Sequence, residues 1–223
     1  MPANASPDAI RTVLFDLDGT LIDTAPDLGH ALNELRRRRG LPPLAESDYR
    51  PQASHGSQGL LRLGFGVREG QDGFAELRRE FLETYQACCT RNSPLFPGMA
   101  EALAALEARG MSWGVVTNKP RRLTEPLMDH LGLTERAACV VCGDTLTWNK
   151  PHPAPMLHAC QLVGNPPRLC LYVGDAERDV LAAHAAGMPA LVALYGYLGD
   201  DDRPEAWGAR GHIRHPAELL DWL

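Results

Sequence analysis

Val13-Leu14-Phe15-Asp16-Leu17-Asp18-Gly19-Thr20 sets an apolar run against an acidic turn. The apolar residues read as a buried strand, and Asp-Gly as the signal that stops it. Two carboxylates two residues apart at the end of such a strand stand at the ligand-binding edge of an open α/β sheet. Crowding them there is unfavourable unless a cation or a shared proton offsets the repulsion. Asp and Gly are also ordinary turn residues. The rest of the chain decides between turn and site.

Outward from this stretch, strand-like and helix-like segments alternate from Met111 to the end. Strands are predicted over 113–116, 139–142, 169–173, 190–194 and 211–213, and helices over 122–131, 154–163, 177–186 and 217–222. Strands separated by single helices imply βαβ units and a Rossmann-like, mostly parallel sheet flanked by helices. Right-handed crossovers put all strand C-termini on one edge.

The first unit is anomalous. Roughly a hundred residues separate Phe15 from Trp113, far more than an ordinary crossover needs. Leu28, Ala31, Leu32 and Leu35 mark one amphipathic helix, with Thr24 as its N-cap. Phe74, Leu77, Phe81, Tyr85 and Cys88 mark another. The Gly-rich stretch from Gly56 to Gly66 reads as a joint between shorter helices. Residues 23–92 are therefore expected to form an inserted all-helical cap, hinged near Thr24-Ala25-Pro26 and Asn92-Ser93-Pro94. Residues 1–22 and 93–223 form the core, to which a helix over 99–108 returns the chain.

Composition narrows the function. The chain of 223 residues is 44% hydrophobic and 22% charged, with formal net charge −6, which argues against a nucleic-acid surface. Its one cationic run, Arg36 to Arg39, precedes Gly40 and suits a helix C-terminus. No apolar stretch is long enough to span a membrane, and Met1 to Asp8 shows no leader pattern. A cytoplasmic protein is expected, as a monomer or weak homodimer. Six cysteines suit buried small hydrophobes; the Cys139/Cys142 pair has no second pair to complete a zinc site.

Three sequence-distant groups fall at strand ends: Asp16 and Asp18, then Thr117-Asn118, then Gly174-Asp175 with Asp179 four residues on. Lys150, in Asn149-Lys150-Pro151, can add a cation. Singly, Thr117-Asn118 and Asp175 could be helix caps, Asp179 a first-turn acid and Lys150 a surface lysine. Jointly they make a site. Hard oxygen ligands without His or Cys suit Mg²⁺. A lysine and a hydroxyl complement phosphate oxygens, and a strand-tip carboxylate can act as a nucleophile that forms an aspartyl-phosphate. Phosphoryl transfer then depends on positioning and charge neutralisation.

The set Asp-x-Asp-Gly-Thr, strand-end Thr-Asn, Lys-Pro and Gly-Asp-x-x-x-Asp, in that order and over nearly the whole chain, resembles the haloacid dehalogenase superfamily of phosphatases. The resemblance implies Asp16 as nucleophile and Asp18 as general acid/base, its proton affinity raised by neighbouring anions. It implies Thr117 and Lys150 on the phosphoryl oxygens, with Asn118 beside them. Asp16, the Asp18 backbone carbonyl and Asp175 would hold Mg²⁺, supported by Asp179. Thr20 is the residue usual in the phosphatases, and is taken with the substrate-binding group. The inserted helices resemble the family's cap, which excludes water and reads the substrate.

Thr24-Ala25-Pro26-Asp27-Leu28 resembles the phosphoglycolate phosphatases. Ser54-His55-Gly56-Ser57, the 113–120 run and Tyr195-Gly196-Tyr197 resemble a bacterial subgroup that dephosphorylates N-acetylmuramic acid 6-phosphate in cell-wall recycling. Either way the implied partner is a small carboxylated phosphomonoester from carbohydrate metabolism. His55, Ser57 and Arg62 are candidate cap readers, or ordinary helix-start and surface residues. A sugar phosphomutase of the same superfamily is the alternative enzyme. A phosphoacceptor signalling or binding module, which also combines acids, a Thr and a Lys, is the alternative from another class.

Overall fold

A computed structural model describes residues 9–223. The segment Met1 to Asp8, read above for a leader, lies outside the described residues. Strand β1 (Thr12–Phe15) is followed by helices α1 (Ala25–Arg38), α2 (Glu46–Tyr49), α3 (Gly56–Phe65), α4 (Phe74–Gln86) and α5 (Met99–Ala108). The alternating half then runs β2 (Ser112–Val116), α6 (Arg121–His130), β3 (Val140–Val141), α7 (Ala154–Val163), β4 (Cys170–Gly174), α8 (Glu177–Ala185), β5 (Ala190–Ala193) and β6 (Gly211–Ile213).

The six strands form one sheet in the order β3-β2-β1-β4-β5-β6, every pair parallel. The order reverses at β1, which is the topological switch point where such sheets bind ligands. Phe15 is level with Val115 on one side and Val173 on the other. The residues just past each strand therefore meet at one place. Every β1 side chain is fully buried, as a central parallel strand covered on both faces requires. Leu14 points into the core under α7 and α8, while Val13 and Phe15 join the larger core that continues into the inserted helices.

Those helices pack on one another through the predicted stripes. Leu32 and Leu35 of α1 and Phe81 and Tyr85 of α4 are buried in the same cluster as Leu60 and Leu61. The Gly56–Gly66 stretch is not a joint. It is helix α3 itself, and two of its glycines, Gly59 and Gly64, are there for contact. A Cβ on Gly64 would lie 2.6 Å from Leu32 Cδ1, and one on Gly59 would lie 2.5 Å from His55 Cβ. Helix propensity is surrendered at these positions so that α3 can lie close to its neighbours.

Two further expectations are corrected. The strand over 139–142 shrinks to Val140–Val141, because the Cys142 N–H is taken by Thr145 Oγ1 at 2.9 Å and the ladder ends. The terminal helix over 217–222 is a 3₁₀ helix, Pro216–Trp222. Among the described residues no helix is long and apolar enough to cross a membrane.

Candidate active site

Asp16 is held by the ladder of β1. Its N–H donates to Val173 O at 2.9 Å, and its own Oδ1 accepts from Leu17 N at 2.7 Å. The turn that follows folds back so that Leu17 O receives the N–H groups of Leu21 and Ile22. Gly19 sits at φ +83°, and a Cβ there would collide with the Asp175 carboxylate. Only glycine meets both conditions. The acidic turn is thus shaped by the carboxylate it faces.

Lys150 reaches this point from the loop before α7 and is completely buried. Its Nζ donates to Val116 O at 2.9 Å and Tyr172 Oη at 2.7 Å. It lies 3.0 Å from Asp16 Oδ1 and 2.8 Å from Asp179 Oδ1. Burial works to raise the Asp16 carboxyl, but Lys150, with Arg178 at 3.9 Å, outweighs it and holds the group below the ordinary aspartate range. Asp16 is therefore ionised although buried, and its carboxylate is held in place. Its counter-charges come from β2's neighbour loop and from α8.

Asp175 follows β4. Its Oδ2 accepts from Ser54 Oγ at 2.5 Å and from Tyr197 N at 2.9 Å, and Oδ1 from Thr20 Oγ1 at 3.3 Å. Burial, reinforced by the charges of Asp16 and Asp179, pushes its carboxyl up to about 7. Asp179 is raised too, by burial, against the pull of Lys150. One ligand oxygen from each of Asp16, Asp175 and Asp179 lies within 4.8 Å of the others. Asp179 Oδ1 is buried without a hydrogen-bond donor; the nearby lysine offers charge but not alignment. Three hard carboxylates, one with an unsatisfied oxygen, fit Mg²⁺.

Asp18 faces away from that cluster. Its Oδ1 accepts from Thr24 Oγ1 at 2.6 Å and from Lys119 Nζ at 2.8 Å. The ammonium of Lys119 also donates to Tyr85 Oη of α4 at 2.9 Å. A cavity of about 490 Å³ opens over Asp16, Asp18, Thr117 and Lys150, and α4 and the start of α3 close its far side.

A family model described as haloacid dehalogenase-like hydrolase matches residues 10–187, a span that contains every strand-end group above. The chain belongs to the haloacid dehalogenase-like hydrolases. It is 43% identical over 210 residues to an N-acetylmuramic acid 6-phosphate phosphatase of Pseudomonas putida, covering 94% of each chain. It is 45% identical over 212 residues to a phosphoglycolate phosphatase of Xanthomonas campestris pv. campestris, covering 95% of each. Among solved structures, a predicted phosphoglycolate phosphatase of Haemophilus somnus superposes with TM-score 0.83 at 29% identity, over 96% of this chain and 97% of that one.

In this haloacid dehalogenase-like chain, Asp16, Asp18, Thr117, Asn118 and Lys150 all line the one cavity, as do His55 and Ser57. Four expected site residues do not. Thr20 is fully buried beneath the cavity, and its hydroxyl is spent on Asp175. Arg62 lies outside the lining and donates to Gln52 Oε1 at 3.1 Å; with Leu60 and Leu61 turned inward, the next position on α3 faces solvent. Asp175 and Asp179 stay beneath, in the carboxylate cluster. Asn118 lines the cavity, yet its amide is used to clamp the Lys150 backbone, donating to its carbonyl at 2.9 Å and accepting from its N–H at 3.0 Å. Thr24 occupies the N-cap position of α1 without capping it, since its hydroxyl serves Asp18.

Asp18 itself departs from expectation in its neighbours. Anions were expected, and its closest charged partner is Lys119. Lys119 directly follows Thr117-Asn118, so its nearness to the strand end was visible, but its pairing with a residue 101 positions away was not. Arg178 was overlooked although it immediately precedes Asp179. It lines the cavity and donates to Ser54 O at 2.8 Å. Tyr197, quoted above only as part of a resemblance, donates from Oη to Asp23 Oδ1 at 2.8 Å and accepts there from Ala25 N at 2.8 Å.

Proposed function

We propose that this chain is a Mg²⁺-dependent phosphomonoesterase that works through an aspartyl-phosphate on a small carboxylated phosphometabolite. The observation that carries the reading is the division of the two acids. Asp16 is ionised among cations beside two further carboxylates, and Asp18 stands apart on the cavity wall with a hydroxyl and an ammonium. One carboxylate is arranged to attack and the other to exchange a proton with the leaving group.

In the first half, Asp16 Oδ attacks phosphorus, forming an acyl-phosphate bond as the ester P–O bond breaks. The departing alkoxide takes its proton from Asp18. In the second half Asp18 removes a proton from water, whose oxygen attacks phosphorus and releases Asp16 with inorganic phosphate. Lys150 and the Thr117 hydroxyl are placed to hold the phosphoryl oxygens. Asp16, Asp175 and Asp179 would hold Mg²⁺, with the Asp18 backbone carbonyl. The ion when bound neutralises charge on the transferring group. Residues 23–92 serve as the cap that covers the cavity and keeps bulk water from it, leaving room for the one water that the second half consumes.

The substrate is read from the cavity. Sites for small molecules run roughly 300–1,000 Å³, and about 490 Å³ suits a phosphorylated amino-sugar acid better than a two-carbon phosphate ester. The reading is therefore N-acetylmuramic acid 6-phosphate, the substrate for which the Pseudomonas relative is named, before 2-phosphoglycolate. Phosphate release by the wild type and by Asp16→Asn tests the chemistry: the variant should fold, melt cooperatively and turn over nothing. Substantial residual hydrolysis by it would remove the assignment. The ratio of kcat/KM on the two substrates tests the choice between them.

A further inference from the structure

Four cationic side chains line the cavity, and three are spent. Lys150 is engaged with Asp16 and Asp179, Lys119 with Asp18, and Arg178 with Asp16 and the Ser54 carbonyl. The fourth is Arg78, on α4. Its recorded bond is from Nε to the neutral hydroxyl of Ser57 at 3.2 Å, and among the described residues no carboxylate pairs with it. Its two terminal amino groups are thus uncommitted, in a cavity whose floor already supplies everything a phosphoryl group needs. A guanidinium fork matches a carboxylate in two parallel hydrogen bonds, and the Ser57 hydroxyl beside it adds a third donor.

We propose that Arg78 and Ser57 form a second anion subsite that selects phosphomonoesters carrying a carboxylate. This rests on the phosphatase reading above and adds the residue that determines its specificity. Arg78 is exposed, so it is already hydrated and its pairing is worth less than a buried one. A discrimination of about tenfold is the expected scale, since about 1.4 kcal/mol is a factor of ten.

The test compares substrates that differ in the carboxylate. N-acetylmuramic acid 6-phosphate is paired with N-acetylglucosamine 6-phosphate, which lacks the lactyl acid, and 2-phosphoglycolate is paired with ethyl phosphate. For each pair the ratio of kcat/KM is measured in wild type, Arg78→Met and Arg78→Lys, with thermal melts confirming that the surface changes leave the fold intact. The wild type should prefer the carboxylated member, Arg78→Met should lower that ratio about tenfold through KM, and Arg78→Lys should fall between. A ratio unchanged in Arg78→Met, or a wild type without the preference, overturns the subsite while leaving the phosphatase reading in place. A wild type that hydrolyses no phosphomonoester overturns the phosphatase reading itself.

Discussion

The carboxyl of Asp175 sets a measurable link between pH, stability and metal. Burial and the charges of Asp16 and Asp179 carry it from 3.8 to about 7. The folded protein therefore binds a proton there that the unfolded chain has already released. A pKa raised on folding contributes stability that is complete below about pH 4 and is lost as pH rises through about 7. Three pH units at about 1.36 kcal/mol each amount to about 4 kcal/mol, of which about 3 kcal/mol falls above pH 5. For a chain of this size, about 2–4 °C per kcal/mol converts that to a Tm lowered by about 6–12 °C between pH 5 and pH 8.5.

The assay is thermal unfolding in EDTA across that range, for wild type and Asp175→Asn. The amide cannot titrate, so its hydrogen-bond changes add a constant offset and the difference between the two curves isolates the carboxyl. Added Mg²⁺ should flatten the wild-type curve, because the cation replaces the proton. At pH 7, where the group is half protonated, Mg²⁺ binding should release about half a proton from it, falling towards zero at pH 8.5. Calorimetry in two buffers of different ionisation enthalpy reads that number. A wild-type minus Asp175→Asn difference that stays flat from pH 5 to pH 8.5 would refute the reasoning.

Three other perturbations are separable. Lys150→Met leaves Asp16 and Asp179 buried together without their cation, and should destabilise by about 3–5 kcal/mol at pH 7 in urea denaturation, recovering partly at pH 5 as the acids protonate. Gly64→Val drives a Cβ to within 2.6 Å of Leu32 Cδ1 and should cost about 1–3 kcal/mol; combining it with Leu32→Ala should cost less than the sum of the two. Tyr197→Phe removes the bonds to Asp23 and Ala25, about 2 kcal/mol at about 1 kcal/mol each, and should speed hydrogen exchange at the Ala25 amide.

The sheet was legible because its signals are local. Continuous apolar runs, ended by acidic or Thr-Asn turns, need no partner to be recognised, and the parallel order follows from the spacing of the helices between them. Helix α3 was not legible as a helix. Gly56, Gly59 and Gly64 read locally as breakers, and the reason for two of them is Leu32 on another helix and His55 in the preceding turn. The site divides along the same line. Asp16, Thr117 and Asp175 stand at strand ends and Lys150 in the loop before α7, and all four can be listed from the sequence. The partners that surround the site cannot, because Lys119 meets Asp18 across the sheet edge from 101 positions away, and Ser54 meets Asp175 only once the inserted helices pack over that edge.

That folding back has a chemical consequence. Ser54 belongs to the inserted helices, yet it donates to Asp175 and accepts from Arg178, which itself stands 3.9 Å from Asp16. Arg50, next to it in the same region, pairs with Asp23 at 2.8 Å and lies over the Tyr197 ring, whose backbone N–H holds Asp175. The helical wall of the cavity therefore hangs from the residues that fix the carboxylate cluster beneath it. Moving the helices away would take a donor from Asp175 and expose Arg178 to water, so the carboxylate cluster is fully arranged only while the cavity is covered. Substrate reading and acid-cluster geometry are then two aspects of one docked arrangement, and a change at Ser54 should disturb both.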